Sequence, residues 1–363
     1  MNILTYKTKL NQIAELGWKE NKTTEYIVEQ LKVKPIKRGF GGGNTGLLYK
    51  IGSGSNAILL RADIDALKTA HGVAHSCGHS THMASLMESF QDAIKLEDKL
   101  SEQNKSIYFL FQPAEEIFPS GGKAFIEECT QILKGIKSAY AIHVRPLMKL
   151  GTVGLQSGPL WARGDYMEIE IHGKMVHIKN NLEGVDAIYA SSLIVSGIKK
   201  IQQRFSSIRI GIGVISGGRQ ANTVADYSLL KGDIRLPHQH WQPRIKKMLE
   251  SLIKTVELKT KARITLHYFD GTPPVVNDSS TTETIAKYLA SRLDLRFTPQ
   301  ISDLFSYGCE DFAYIAEKVP ATMALIGTGD KYDLHEENCT ISDQGTVNAY
   351  LYFKAVVDWF VQS

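Results

Sequence analysis

The chain changes its hydrophobic pattern near residue 160 and changes back near residue 270. That double switch constrains the fold more than any other feature. Before it, "NAILLRADI", "SIYFLFQPA" and "AYAIHV" are apolar runs of strand length, as expected for strands covered on both faces. Helical patterns fall around and between them: "TEYIVEQL", the spacing of Leu86, Phe90 and Ile94, and the stretch from Gly122 to Leu133. Such alternation predicts an α/β sheet with helices on both faces.

Inside the window, "DYMEIEIHG" alternates apolar and polar residues, as a half-exposed strand does. Residues 186–204 carry Ile194, Ile198 and Ile201 at helical spacing. Two strands follow, "IRIGIGVIS" and "ANTVADYSLLKGDIRLP", then a helix with Ile245, Met248, Leu252 and Val256 on one face, then "ARITLHYF". The order β-α-β-β-α-β is the ferredoxin-like unit. After "DGTPPVVND" the α/β pattern resumes, with helices at 281–292, 310–318 and 345–361 around the strand "TMALIG". The expected architecture is an α/β domain of residues 1–160 and 271–363, interrupted by a ferredoxin-like domain of residues 161–270.

A length of 363 residues fits two domains better than one core. The net charge of +4 is small, and no block of like charge marks a nucleic-acid arm or a membrane anchor. The start "MNILTYKTKL" has no apolar signal region, which points to the cytoplasm. Four well-separated cysteines, Cys77, Cys129, Cys309 and Cys339, predict free thiols.

The densest chemistry lies in "HSCGHSTH", residues 75–82. Cys77 and His79 flank a glycine that opens backbone angles closed to other residues. In a turn after a buried strand both side chains can face one point, and thiolate with imidazole suits zinc and related ions. By itself the triplet leaves three readings open: coincidence, a metal site, or a cysteine nucleophile with a histidine base. Two further features add to the metal reading. "FQPAEE" puts Glu115 and Glu116 at the end of a buried strand, one able to hold metal and one to move a proton. His143 in "AIHV" and His335 in "YDLHEEN" add two imidazoles.

Taken in order, "RADIDAL", "HSCGHSTHMA", "FQPAEE", "AIHV", "ISGGRQANTVAD", "GDIR", "PPVVND", "EDFAYIAEKVP" and "LHEEN" resemble one family over nearly the whole chain. It is the amidohydrolase branch of the aminoacylase and carboxypeptidase family of dinuclear metallopeptidases, the branch of hippurate and auxin-conjugate hydrolases and N-acetyl-diaminopimelate deacetylase. The resemblance implies a metal-binding α/β catalytic domain with an inserted ferredoxin-like lid that also dimerises. It implies two divalent cations per chain, zinc, manganese, nickel or cobalt, held by Cys77, His79, Glu116, His143 and His335. It makes Glu115 the general base and Asp63 an acidic residue that orients a ligand. His177 matches a lid histidine that steadies the oxyanion in a neighbouring active site of a homodimer, and Asn222 a lid residue that holds substrate. Arg235 is a candidate partner for the substrate carboxylate.

The chain departs from the family pattern in three places. Ser80 stands where an aspartate usually follows Cys-Gly-His, which removes one supporting carboxylate. The segment from Leu67 to His75 is short and lacks the usual proline and glutamate. The lid motif reads Met175, Val176, His177, with Asn181 and Leu182 in place of a later Pro-His. The expected reaction is hydrolysis of the amide bond of an N-acyl amino acid. A dipeptidase or carboxypeptidase, a non-catalytic binding protein on the same fold, and a cysteine hydrolase are the rival readings.

Overall fold

The computed structural model of the protein describes residues 2–292, 298–300 and 302–363. The chain divides into two compact units. One comprises Met1–Leu160, Val276–Leu304 and Asp311–Ser363, and the other Trp161–Val275 and Phe305–Glu310.

The first unit is built on an eight-stranded mixed sheet. Its central strands Lys105–Gln112, Asn56–Asp63, Ile136–Arg145 and Ala321–Gly327 lie side by side and parallel. Every residue of Ala321–Gly327 and all but the first of Asn56–Asp63 are buried, as their apolar runs require. One face of the sheet packs against the helices Ile3–Gln12, Asn21–Leu31, His79–Ala93 and Asp343–Gln362. Leu10, Ile27, Met83, Leu86, Phe90, Phe353 and Val357 meet Ile58, Leu60, Phe109 and Ile142 there. Because the central strands run in parallel, their carboxyl ends gather on one side. This is where α/β sheets place their sites.

The second unit is the ferredoxin-like motif. Four antiparallel strands stand in the order Arg209–Gly217, Tyr227–Leu236, Arg163–His172, Arg263–Thr272. The helices Ala187–Arg204 and Trp241–Thr260 cover one face, burying Ile194, Ile198, Ile245 and Leu249 against Met167, Ile169, Leu230 and Ile234.

Three elements differ from sequence expectation. The strand expected from "ANTVADYSLLKGDIRLP" begins only at Tyr227. The preceding residues bond instead to the 176–178 segment, through Val224 N to Val176 O and Ile178 N to Asn222 O, both at 2.9 Å. The helix expected over Gly122–Leu133 breaks at Cys129 into Gly121–Glu128 and Thr130–Leu133. The helix expected at 310–318 is one turn, Ala313–Ala316, and the Asp311 carboxylate before it accepts from Arg61 and Gly122. The short 67–75 segment is a hairpin pairing Leu67 with Ala74 and Thr69 with Gly72.

Candidate metal centre

The strand Asn56–Asp63 delivers the first acidic groups. Residues two apart on a strand share a face, so Arg61 and Asp63 point the same way, and both are fully buried. Arg61 Nη1 donates to Asp63 Oδ2 and Nη2 to Asp311 Oδ1, each at 2.7 Å. Its Nε donates to Gln112 Oε1 at 3.0 Å. Gln112 and the backbone N–H of Gly122 complete the shell of Asp311. Burial alone would raise the Asp63 carboxyl, but His79, His82 and Arg61 together hold it well below the usual carboxylate range. A buried charge needs such partners.

Gly78 makes the turn between Cys77 and His79. Its φ is +86°, and a β-carbon there would lie 2.3 Å from Val144 Cγ2. The helix His79–Ala93 starts immediately after it, so Cys77 precedes the helix and His79 opens it. Cys77, His79 and Glu116 offer ligand atoms that all lie within 4.8 Å of one another. His79 Nδ1 is 3.1 Å from the backbone oxygen of Asp65, which fixes the tautomer. Its Nε2 is buried and has no hydrogen-bond partner. That orphaned nitrogen lies 3.6 Å from Asp63 Oδ2 and 3.9 Å from Glu116 Oε1. Burial opposes a charge on His79, but Asp63, Cys77 and Asp65 raise its pKa well above the ordinary value. The surroundings favour positive charge at this point.

Glu116 reaches a second imidazole: His335 Nε2 lies 3.4 Å from Glu116 Oε1. The His335 backbone N–H donates to the Ser76 carbonyl at 2.9 Å, which ties the distant 330–337 loop to the cysteine segment. His335 holds a left-handed φ of +67° and its side chain is 58% exposed, so the site meets solvent there. The hydrogen bond to Glu116 raises its pKa, against partial burial. His143 is buried, and its Nδ1 donates to its neighbour's carbonyl, Val144 O, at 2.9 Å. Burial, then His82, keeps this imidazole neutral, the state a metal ligand needs. Its ring centroid is 6.1 Å from that of His79. Glu115 is half-buried beside Glu116.

Sequence reasoning missed Asp65 as a part of this site. Its backbone oxygen and Oδ1 face His79 Nδ1 at 3.1 and 3.3 Å, and its Oδ2 accepts the Glu116 N–H at 2.9 Å. One residue thus orients two candidate ligands. The signal was present in "RADID", where Asp65 follows Asp63 at the strand period. His82 lies close enough to Asp63 and His79 to look like a ligand. Its Nδ1 donates to Asp63 Oδ1 at 2.7 Å, and its Nε2 accepts the Val144 N–H at 3.0 Å. Both nitrogens are spent, so His82 positions Asp63 instead.

In the inserted unit, His177 and Asn222 come together. His177 bridges Thr223, Ile178 N donates to Asn222 O at 2.9 Å, and both residues are exposed. Arg235 is engaged differently. Its Nε and Nη2 hold the two oxygens of Asp233 at 2.6 and 3.0 Å, and its Nη1 contacts the Cys309 thiol.

The residues fit a metal centre. The donors are a thiol, imidazoles and a carboxylate, and the unpartnered His79 Nε2 is aimed among them. Residues 59–358 match peptidase family M20/M25/M40. The chain belongs to that family. It is an M20 hydrolase acting on amide bonds. It is 30% identical to the N-acetyl-L-cysteine deacetylase of Bacillus subtilis (strain 168) over 97% of this chain and 87% of that one. It is 28% identical to the N-acetyldiaminopimelate deacetylase of the same strain, over 92% and 91% of the two chains. A putative aminohydrolase from methicillin-resistant Staphylococcus aureus has the same fold, at a TM-score of 0.89, 27% identity and coverage of 99% and 96%. A Bacillus subtilis dinuclear metal-binding peptidase of the M20 family superposes at a TM-score of 0.85 with 24% identity, over 99% and 98% of the chains. The α/β fold with a separate ferredoxin-like unit is the fold of this family.

Proposed function

We propose that this M20 hydrolase removes the acyl group from N-acyl amino acids, releasing a carboxylic acid and a free amino acid. The observation that carries the proposal is the buried, unpartnered His79 Nε2 facing Cys77 and Glu116, with Glu115 next in the chain. The deacetylase activity of the two Bacillus relatives supports the substrate class.

Cys77, His79, Glu116, His143 and His335 would hold two divalent cations. Zinc, manganese, nickel and cobalt all suit this donor set. When bound, such ions polarise a carbonyl and make water acidic enough to react near neutral pH. Glu115 takes the proton of the attacking water and returns it to the leaving amine. His177 donates to the oxyanion, and Asn222 and Arg235 orient the amino-acid portion. Arg235 already holds Asp233, so its part requires that it share its guanidinium. Asp63 acts through His82 and His79, and Asp65 through His79 and Glu116.

The working form is a homodimer joined through the inserted unit. Its strand Arg209–Gly217 is a sheet edge, and Val214 and Ile215 on it are 50% and 59% exposed. An unpaired edge with apolar side chains is a template for pairing with a second copy. Light scattering at micromolar concentration tests this, and a monomer at all concentrations removes the dimer and any role for His177 in a neighbouring site. Four free thiols suit the cytoplasm.

The reaction is tested with a panel of N-acetyl amino acids, N-benzoyl amino acids and dipeptides in the presence of manganese, zinc or cobalt. Fastest turnover of the N-acyl amino acids is the expected result. Preference for dipeptides would make the protein a dipeptidase.

A further inference from the structure

Glu20 is a buried carboxyl that the proposed chemistry does not use. It precedes the helix Asn21–Leu31 and is 0% exposed. Its side chain leaves that helix, and Oε1 accepts the backbone N–H of Ala114 at 2.7 Å. Oε2 is buried beside the equally buried Thr45 hydroxyl. Burial, and then the nearby Asp65 carboxylate, push Glu20 up to about 7.

Its partner is also strained. Ala114 has φ +52°, a left-handed conformation that disfavours a side chain. Two bonds grip the polar groups of Ala114 itself: its N–H donates to Glu20, and its carbonyl accepts from Gly121 N at 2.9 Å. Glu115 and Glu116 follow directly. The backbone angles at Ala114 therefore aim both carboxylates.

We infer that Glu20 is a positioning residue: by accepting the Ala114 N–H it holds the left-handed turn that presents Glu115 and Glu116 in their separate roles. This rests on the roles of base and ligand proposed above.

The test compares Glu20→Ala, Glu20→Gln, Ala114→Gly and the Glu20→Ala/Ala114→Gly double variant, with folding checked by circular dichroism. Glutamine keeps a carbonyl acceptor, and glycine adopts positive φ without strain. In metal-loaded protein, Glu20→Ala should lower kcat by about tenfold to a hundredfold with little change in KM, since misplacing a reacting group costs rates of that order. It should also weaken zinc or manganese binding by about tenfold, through Glu116. Glu20→Gln should stay within about threefold of the parent in both, and Ala114→Gly should restore much of what Glu20→Ala loses. The inference is overturned if a folded Glu20→Ala keeps the parent's kcat and metal affinity. It is overturned equally if Glu20→Gln is as damaged as Glu20→Ala, or if Ala114→Gly restores nothing. Should Glu20→Ala not fold, the Glu20→Gln result decides alone. Metal affinity is read without substrate, so a parent protein inert toward every N-acyl amino acid refutes the reaction and leaves this inference measurable.

Discussion

His82 Nδ1 lies 2.7 Å from Asp63 Oδ1 while its Nε2 accepts the Val144 N–H at 3.0 Å. The imidazole is therefore a neutral strut between a strand end and the backbone beside His143, with no nitrogen left for metal. Burial, the largest influence, lowers its pKa and keeps it so, against the pull of Asp63. His82→Ala should orphan one oxygen of the buried Asp63 carboxylate and the buried Val144 N–H together. We expect the metal-free protein to lose about 3 kcal/mol of unfolding free energy in urea. If His82 were a ligand, the loss would fall instead on metal stoichiometry, with the metal-free stability nearly unchanged.

Asp65 should matter to metal affinity out of proportion to its distance from the reaction. It orients His79 through Nδ1 and Glu116 through its N–H. Removing such a supporting partner typically weakens metal binding by about 10- to 100-fold. Titration of Asp65→Ala with zinc measures this directly. An affinity equal to the parent's would show that the two ligands hold their geometry without it.

Glu115→Gln and Glu116→Gln should fail in different ways. The first keeps shape and loses a proton acceptor, which typically costs about 10²- to 10⁴-fold in rate. Its metal content should remain. The second removes a charged ligand and should lose metal first. Mass spectrometry of bound metal and single-turnover rates on both variants separate base from ligand. The opposite pattern would exchange the two assignments.

Chelation should abolish turnover, and added zinc, manganese or cobalt should restore it. A hydrolase using Cys77 as nucleophile would instead survive EDTA and die with a thiol reagent. Burial pushes the Cys77 thiol up to about 11, which leaves little free thiolate for such attack.

The helix that carries His79 is tied to the C-terminal helix by Tyr350, whose hydroxyl donates to Asp92 Oδ2 at 2.6 Å. Burial opposes ionisation of Asp92, but Tyr350 and Lys95 outweigh it and lower its pKa. A depressed carboxyl adds stability above its unfolded pKa and loses it as pH falls through the folded one. Asp92→Asn should therefore cost about 1 kcal/mol at pH 7, a modest figure because the group is partly solvated. Thermal melts should show the gap to the parent closing on acidification. A gap that widens instead would mean that Asp92 is neutral in the folded protein.

The α/β alternation and the ferredoxin-like insertion were legible because each strand and helix buries a face, and burial leaves a period in the sequence. The ligand types were legible too. Cys77, His79 and Glu116 stand at strand ends or helix starts, where local pattern already locates them. The ends of elements were harder. Nothing local delays the strand's start to Tyr227, because the residues before it are taken up by the pairing of Val224 with Val176.

The sequence by itself determined which chemical groups the site owns, since a side chain's donors travel with its residue. Only the tertiary structure decided that His79 Nε2 is left unpartnered, that Asp65 holds two ligands, and that His82 has no nitrogen to spare. Those outcomes depend on hydrogen bonds between residues far apart in the chain. Asp65 meets Glu116 across 51 positions and Arg61 meets Asp311 across 250. Local periodicity carries no information at such separations, because folding alone brings those groups within bonding distance.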